Sequence, residues 1–102
     1  NKDLNKALKM AEEVMKTAGD NETYIDTYAW VLHKLGKSKQ AYKEMLRIFE
    51  KQEDRDPEIL EHMGFILESL GKCSEAVGYW KEALKKDSSK SYLEKKIETC
   101  GK

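Results

Sequence analysis

Two cysteines, one proline, no net charge and no apolar run of membrane-spanning length narrow this 102-residue chain by what they exclude. Cys73 and Cys100 are too few for a disulfide framework, and their spacing fits no metal-ligand motif. One proline and six glycines in a Leu-, Lys- and Glu-rich chain argue against both β-structure and disorder. Basic and acidic residues balance at 19 each, so the basic excess typical of nucleic-acid and membrane-surface binders is missing. No apolar stretch approaches a membrane span or a signal-peptide core. The chain opens at Asn1 rather than at methionine, which leaves room for a removed targeting segment, so the lack of one in this stretch says little about compartment. The compartment stays open. The neutral total conceals a polarity. Glu50 to Glu61 holds six acidic and two basic residues, a net of −4, whereas Lys81 to Lys102 holds seven basic and four acidic, a net of +3.

What the chain does have is internal repetition. Ile25-Asp26-Thr27-Tyr28-Ala29-Trp30-Val31-Leu32, then Leu35-Gly36-Lys37-Ser38 and Ala41, returns 35 residues later as Leu60-Glu61-His62-Met63-Gly64-Phe65-Ile66-Leu67, Leu70-Gly71-Lys72-Cys73 and Ala76. Ala7, 34 residues before Ala41, marks an earlier half-copy. A period in this range is the mark of a solenoid built from stacked supersecondary units.

Periodicity of 3.6 residues and stop signals predict six helices, hence an all-α chain. The first covers Asp3 to Ala18 and stops at Gly19, with Leu4, Ala7, Leu8, Ala11, Val14 and Met15 on one stripe. The second runs from Thr23 to Leu35 and ends at Gly36, suited to the left-handed residue that closes helices. The third starts at Ser38, read as its N-cap, and buries Ala41, Met45, Leu46, Ile48 and Phe49. Lys51 to Arg55 form a polar linker. Asp56-Pro57 opens the fourth helix with a capping acid and a first-turn proline, where the missing N–H costs nothing. That helix ends at Leu70-Gly71. The fifth, from Cys73 or Ser74 to Lys86, buries Ala76, Val77, Trp80, Ala83 and Leu84. A sixth, from Ser89 to Thr99, turns Leu93 and Ile97 inward and its lysines outward. Short connections force neighbouring helices antiparallel, so the elements read as stacked hairpins. The small residues Ala29, Ala41, Gly64 and Ala76 then mark close approach, Ala29 facing Ala41 and Gly64 facing Ala76.

These residues resemble the tetratricopeptide repeat. Leu60, Met63-Gly64, Leu67, Ala76, Trp80 and Ala83 match its pattern of large, apolar-small and apolar positions followed by a small residue, an aromatic and a small residue. Ile25, Tyr28-Ala29, Leu32, Ala41, Met45 and Ile48 match with substitutions, and the proline expected after the second helix of a repeat is absent at Ser88. The resemblance implies an α-solenoid of helix hairpins in a right-handed superhelical stack. It divides one domain, 1–102, into the second helix of a truncated repeat (1–20), two repeats (21–55 and 56–88) and a capping helix (89–102). The orphan first helix gives the chain the look of the C-terminal repeats of a longer array, and the wording of Ile25 to Leu32 is similar to bacterial members.

The resemblance also implies function: a scaffold that binds a partner's extended peptide or helix in a concave groove lined by first helices, and no enzyme. The matching positions are Thr23, Asp26, Thr27, Trp30, His33 and Lys34 in one repeat. The next presents Glu58, Glu61, His62, Phe65, Glu68 and Ser69. Trp30 and Phe65 occupy equivalent places and read as an aromatic row of anchors, since aromatics with polar neighbours make hot spots; the plainer alternative is that the capping helix or adjacent repeats pack them. Glu58, Glu61 and Glu68 would make the groove acidic and suit an apolar, basic partner. Chaperone-tail-binding members hold a terminal carboxylate with lysine, asparagine and arginine on this face; this chain has acids and His62 instead, so that specificity is not carried over. The uncovered stripe of the first helix suggests self-association as an alternative, a homodimer through Leu4, Leu8 and Met15. A further alternative is an accessory role in a larger enzyme or a secretion or assembly protein.

Other chemistry finds little footing. Gly36-Lys37-Ser38 resembles the end of a phosphate loop, but Val31 stands where a glycine is required and a helix precedes it instead of a strand. Glu58 and His62 share one helix face with Glu61 beside them, too few ligands for a specific metal site even with His33 nearby. No nucleophile–histidine arrangement is suggested, and no cofactor is expected. Cys73 and Cys100 read as two independent thiols. Antiparallel fifth and sixth helices would nonetheless bring them near enough to bridge.

Overall fold

A computed structural model describes residues 2–18, 21–51 and 56–100; the predicted stop at Gly19 and the linker residues 52–55 lie outside them. Among the described residues there are six helices and no strand: α1 (Lys2–Ala18), α2 (Glu22–Lys34), α3 (Ser38–Lys51), α4 (Pro57–Ser69), α5 (Cys73–Lys86) and α6 (Tyr92–Cys100). The chain has an all-α helical-repeat fold. It divides into two compact units, Asn1–Glu53 and Asp54–Lys102. In the first unit α2 packs on both α1 and α3; in the second α5 packs on both α4 and α6.

The helix ends follow from local chemistry. Asn21 begins α2 by accepting the Tyr24 N–H at 3.2 Å, a cap that the sequence reading passed over. Asp56, extended at φ −67° and ψ 131°, accepts the Glu58 N–H at 2.8 Å ahead of Pro57, as its sequence predicts. Both hairpin turns end a helix in the same way. Gly36 and Gly71 adopt φ +82° and +76°, a region that costs a side-chain-bearing residue about 1 kcal/mol or more. The N–H groups of Gly36 and Lys37 return to the carbonyls of His33 and Leu32 at 3.0 and 2.8 Å, and those of Gly71 and Lys72 return to Glu68 and Leu67 at 3.0 and 2.9 Å. This crossed pair of bonds satisfies carbonyls that the last turn would otherwise leave open.

The core of the first unit is Ile25, Ala29, Leu32, Ala41, Met45 and Ile48, all buried. Leu46 and Phe49 are only half-buried, as are Val77 and Leu84 in α5. In the second unit Leu60, Met63, Ile66, Leu67, Ala76, Trp80, Ala83 and Leu93 are completely enclosed. Each fully buried large side chain contributes about 1.5–3 kcal/mol relative to exposure. By contrast α1 encloses no described side chain: Leu4, Leu8 and Met15 are half-buried and Met10 is 66% exposed.

Four expectations change. Ser38 is not the N-cap of α3. The Ala41 N–H bonds to the Lys37 carbonyl at 3.0 Å, which places the cap at Lys37, and the buried Ser38 hydroxyl instead meets Nδ1 of His33 at 3.1 Å. Gly64 opens space for Trp80 rather than for Ala76, since a Cβ placed there would overlap the indole and lie 2.7 Å from its Cε2. The sixth helix begins at Tyr92 instead of Ser89. The Asp87 carboxylate binds both the Ser89 N–H (3.1 Å) and its hydroxyl (2.6 Å), holding residues 87–90 in a turn that competes with helix. Those bonds also keep the Asp87 carboxyl below its ordinary pKa. Finally, Cys73 and Cys100 are not independent thiols. They form a disulfide with a Cα–Cα distance of 5.4 Å that joins the start of α5 to the end of α6.

Candidate partner-binding face

The expected residues of the first unit all lie on α2. Thr23 and Thr27 are exposed, the Thr27 hydroxyl donating to the Thr23 carbonyl at 3.0 Å. Asp26, Trp30 and His33 are half-buried and Lys34 is exposed. Three of these form one cluster. The Trp30 and His33 rings stand 5.0 Å apart, tilted by 35°, and the Lys34 ammonium sits 5.1 Å from the indole centroid. That is within reach of a cation–π attraction. His33 is fixed from the other side by Ser38, so the cluster is tied to the α2–α3 turn.

Beside it, between α1 and α2, lies an open apolar cleft of about 330 Å³. Ala7, Met10, Ala11 and Val14 form one wall; Thr23, Tyr24, Thr27 and Val31 form the other. Tyr24 is 45% exposed at its rim. Of the expected face only Thr23 and Thr27 line this cleft. Met10, Tyr24 and Val31 were missed, although Tyr24 and Val31 could have been found from their counterparts 35 residues on, Ile59 and Ile66, which are buried. Tyr28 points elsewhere: burial first, then the carboxylates of Glu44 and Glu12, push its hydroxyl above the ordinary tyrosine range.

In the second unit the expected residues keep different company. Glu58 is exposed and His62 half-buried. Phe65 is half-buried with its ring edge-on to Trp80, centroids 5.4 Å apart at 62°. Glu61, read as an acid facing a groove, is only 9% exposed. Its carboxylate accepts from Lys90 Nζ at 2.8 Å and from the Tyr92 hydroxyl, while its carbonyl accepts from Trp80 Nε1 at 3.3 Å. Glu68 accepts from Lys96 Nζ at 2.7 Å, and that same ammonium lies 5.7 and 5.6 Å from the centroids of Phe65 and Trp80. Two of the three acids expected to await a partner, Glu61 and Glu68, are therefore taken up by the chain itself. The lysines at positions 90 and 96, read as outward, turn toward α4. The contact with Glu61 is the main reason that Lys90 holds its proton above the ordinary lysine value; for Tyr92 burial comes first and Glu61 second.

Among the described residues no group of three or more His, Cys, Asp and Glu is arranged to hold a metal, and no helix is long and apolar enough to cross a membrane. Residues 1–99 match the family model described as the Psidin N-terminal TPR repeats region. The chain belongs to this TPR family. No curated protein matches it. In this TPR chain the positions that carry the repeat pattern are the core itself: Leu60, Met63, Leu67, Ala76, Trp80 and Ala83 are fully buried in one copy, and Ile25, Ala29, Leu32, Ala41, Met45 and Ile48 in the other. TPR repeats generally mediate protein–protein interaction and are typically non-catalytic scaffolds, so the pattern accounts for packing and leaves recognition to the positions between.

Proposed function

We propose that this TPR chain binds an apolar helical segment of a protein partner, with no chemistry of its own. The α1–α2 cleft carries the reading: about 330 Å³ of apolar space with Met10 and Tyr24 standing exposed at it. The second unit suggests what fits there. In sequence phase α5 and α6 correspond to α1 and α2, since Ala76 repeats Ala7 and Leu93 falls where Ile25 does. Against this pair α4 packs on α5 and buries Leu60, Met63, Gly64 and Leu67. A helix with that large-small stripe is the complementary shape for the α1–α2 cleft. The Trp30–His33–Lys34 cluster on the same helix adds an aromatic and cationic contact.

Selection from a library of helical peptides tests this directly. Enriched sequences are expected to carry an apolar-small stripe and to lose binding to Met10→Asp and to Tyr24→Ala, both exposed positions whose replacement leaves the core intact. Peptides that bind these variants as well as the parent, or a library that yields no binder, would sink the proposal. A second reading, self-association through the same cleft, is favoured by the exposure of Met10; light scattering that finds a monomer at high concentration removes it.

A further inference from the structure

The second unit contains a ligand-like arrangement made within one chain. α6 has nine residues, too short to be helical in isolation, and only Leu93 of them is fully enclosed. α6 packs on α5, and toward α4 it and the turn before it are held by polar contacts: Lys90 and the Tyr92 hydroxyl on Glu61 and Lys96 on Glu68, with the Lys96 ammonium above Phe65. This is the chemistry by which an acidic and aromatic face captures a basic amphipathic helix from another protein. The non-covalent hold is modest, and the far end of α6 is secured by the Cys73–Cys100 bond.

We infer that α6 is a detachable internal ligand clasped by the Cys73–Cys100 disulfide, and that reduction of this bond opens the Glu61–Phe65–Glu68 face to a basic amphipathic helix of a partner protein. The reductant is a dithiol. One of its thiolates attacks a sulfur of the bridge and the other cysteine leaves as thiolate; the second thiol of the reductant then displaces the first cysteine. The S–S bond gains two electrons and two protons to give two cysteine thiols, and the reductant departs as its own disulfide. While the bridge is closed, α6 has no open state of appreciable lifetime. Once it is cut, α6 is held only by its non-covalent contacts with α4 and α5, and a helix in solution competes with it for the same carboxylates.

The inference rests on the reading of the chain as a helix-binding scaffold but uses a separate face. Its test uses the full chain, oxidised or treated with dithiothreitol, and a labelled synthetic peptide of residues 87–100 carrying Cys100→Ser as probe. The reduced protein is expected to bind the peptide at least tenfold more tightly than the oxidised one, and the double variant Cys73→Ser, Cys100→Ser to behave as reduced without any reductant. Glu61→Gln with Glu68→Gln should abolish the gain. Hydrogen exchange is expected to show that residues 92–100 lose protection on reduction while 57–86 keep theirs. Equal affinity in the two redox states, protection of 92–100 that survives reduction, or loss of protection throughout 57–86 would each overturn the inference, as would two titratable thiols in the unreduced protein. Helical peptides selected on the α1–α2 cleft should bind both redox states alike, so failure of that site leaves this readout unaffected.

Discussion

The same substitution at two glycines should change stability in opposite directions. At Gly64 a new Cβ would overlap Nε1 and Cδ1 of Trp80 and stand 2.7 Å from Cε2, while at Gly78 nothing lies within 4 Å. Both are helical, in α4 and α5, so Gly→Ala brings each about 1 kcal/mol of helix propensity. At Gly78 that gain stands alone. At Gly64 the indole must move, and Trp80 is fully enclosed, edge-on to Phe65 and bonded through Nε1 to the Glu61 carbonyl at 3.3 Å. Overpacking of this kind costs about 3 kcal/mol at the upper end of the usual range. Breaking the indole bond adds about 1 kcal/mol. The expected balance is a loss of about 3 kcal/mol for Gly64→Ala and a gain of about 1 kcal/mol for Gly78→Ala. Urea unfolding followed by tryptophan fluorescence, in a Trp30→Phe background so that Trp80 alone reports, measures both midpoints. A neutral or stabilised Gly64→Ala would refute the claim that the glycine exists to admit the indole.

Removing the disulfide with Cys73→Ser and Cys100→Ser releases a loop of sequence separation 27, for which chain entropy gives about 3.5 kcal/mol of lost stability; a chemical-denaturation midpoint for the second unit unchanged under oxidising conditions would contradict the bridge. Because Lys90 and Tyr92 both have folded pKa values raised above their ordinary ones, their contribution is complete below about pH 10 and is lost as pH climbs through the folded values. Helical circular dichroism should therefore hold steady to about pH 9.5 and fall above it, and a fall that begins near neutrality would rule this account out. Asp56→Ala should cost about 1 kcal/mol through the uncapped Glu58 N–H, with Asp56→Asn restoring it; equal stabilities of the two variants would show that the cap is idle.

Sequence periodicity revealed packing far better than partnership. The repeat positions were readable because burial imposes a period, and a helix that places Leu60, Met63 and Leu67 on one stripe has one way to hide them. Gly64 signalled a close approach, but an absent side chain says only that something comes near, and Ala76 was the obvious neighbour until Trp80 was seen lying across it. Ser38 suits an N-cap by type, yet its hydroxyl has a better offer in His33, a competition that spacing alone does not display. Lys90 and Lys96 looked solvated because a lysine looks so until the opposing carboxylate is placed. The signal was present in the −4 stretch ending at Glu61 and the +3 stretch beginning at Lys81, two segments with complementary reasons to meet. The cysteines lie 27 positions apart; antiparallel helices made a bridge geometrically open to them, and the structure closes it at a Cα–Cα distance of 5.4 Å.

The pairing of Lys90 with Glu61 also acts as a key against misthreading. Leu93 and Ile97 are four residues apart, one helical turn, so α6 slid by a turn would offer Ile97 to the pocket of Leu93 with little apolar loss. The greasy part of the contact does not distinguish the two settings. The charges do, because the same slide brings Glu94 to the place of Lys90 and sets a carboxylate against the enclosed carboxylate of Glu61. Of these two threadings the observed one alone neutralises that acid, and it is the one that delivers Cys100 to Cys73.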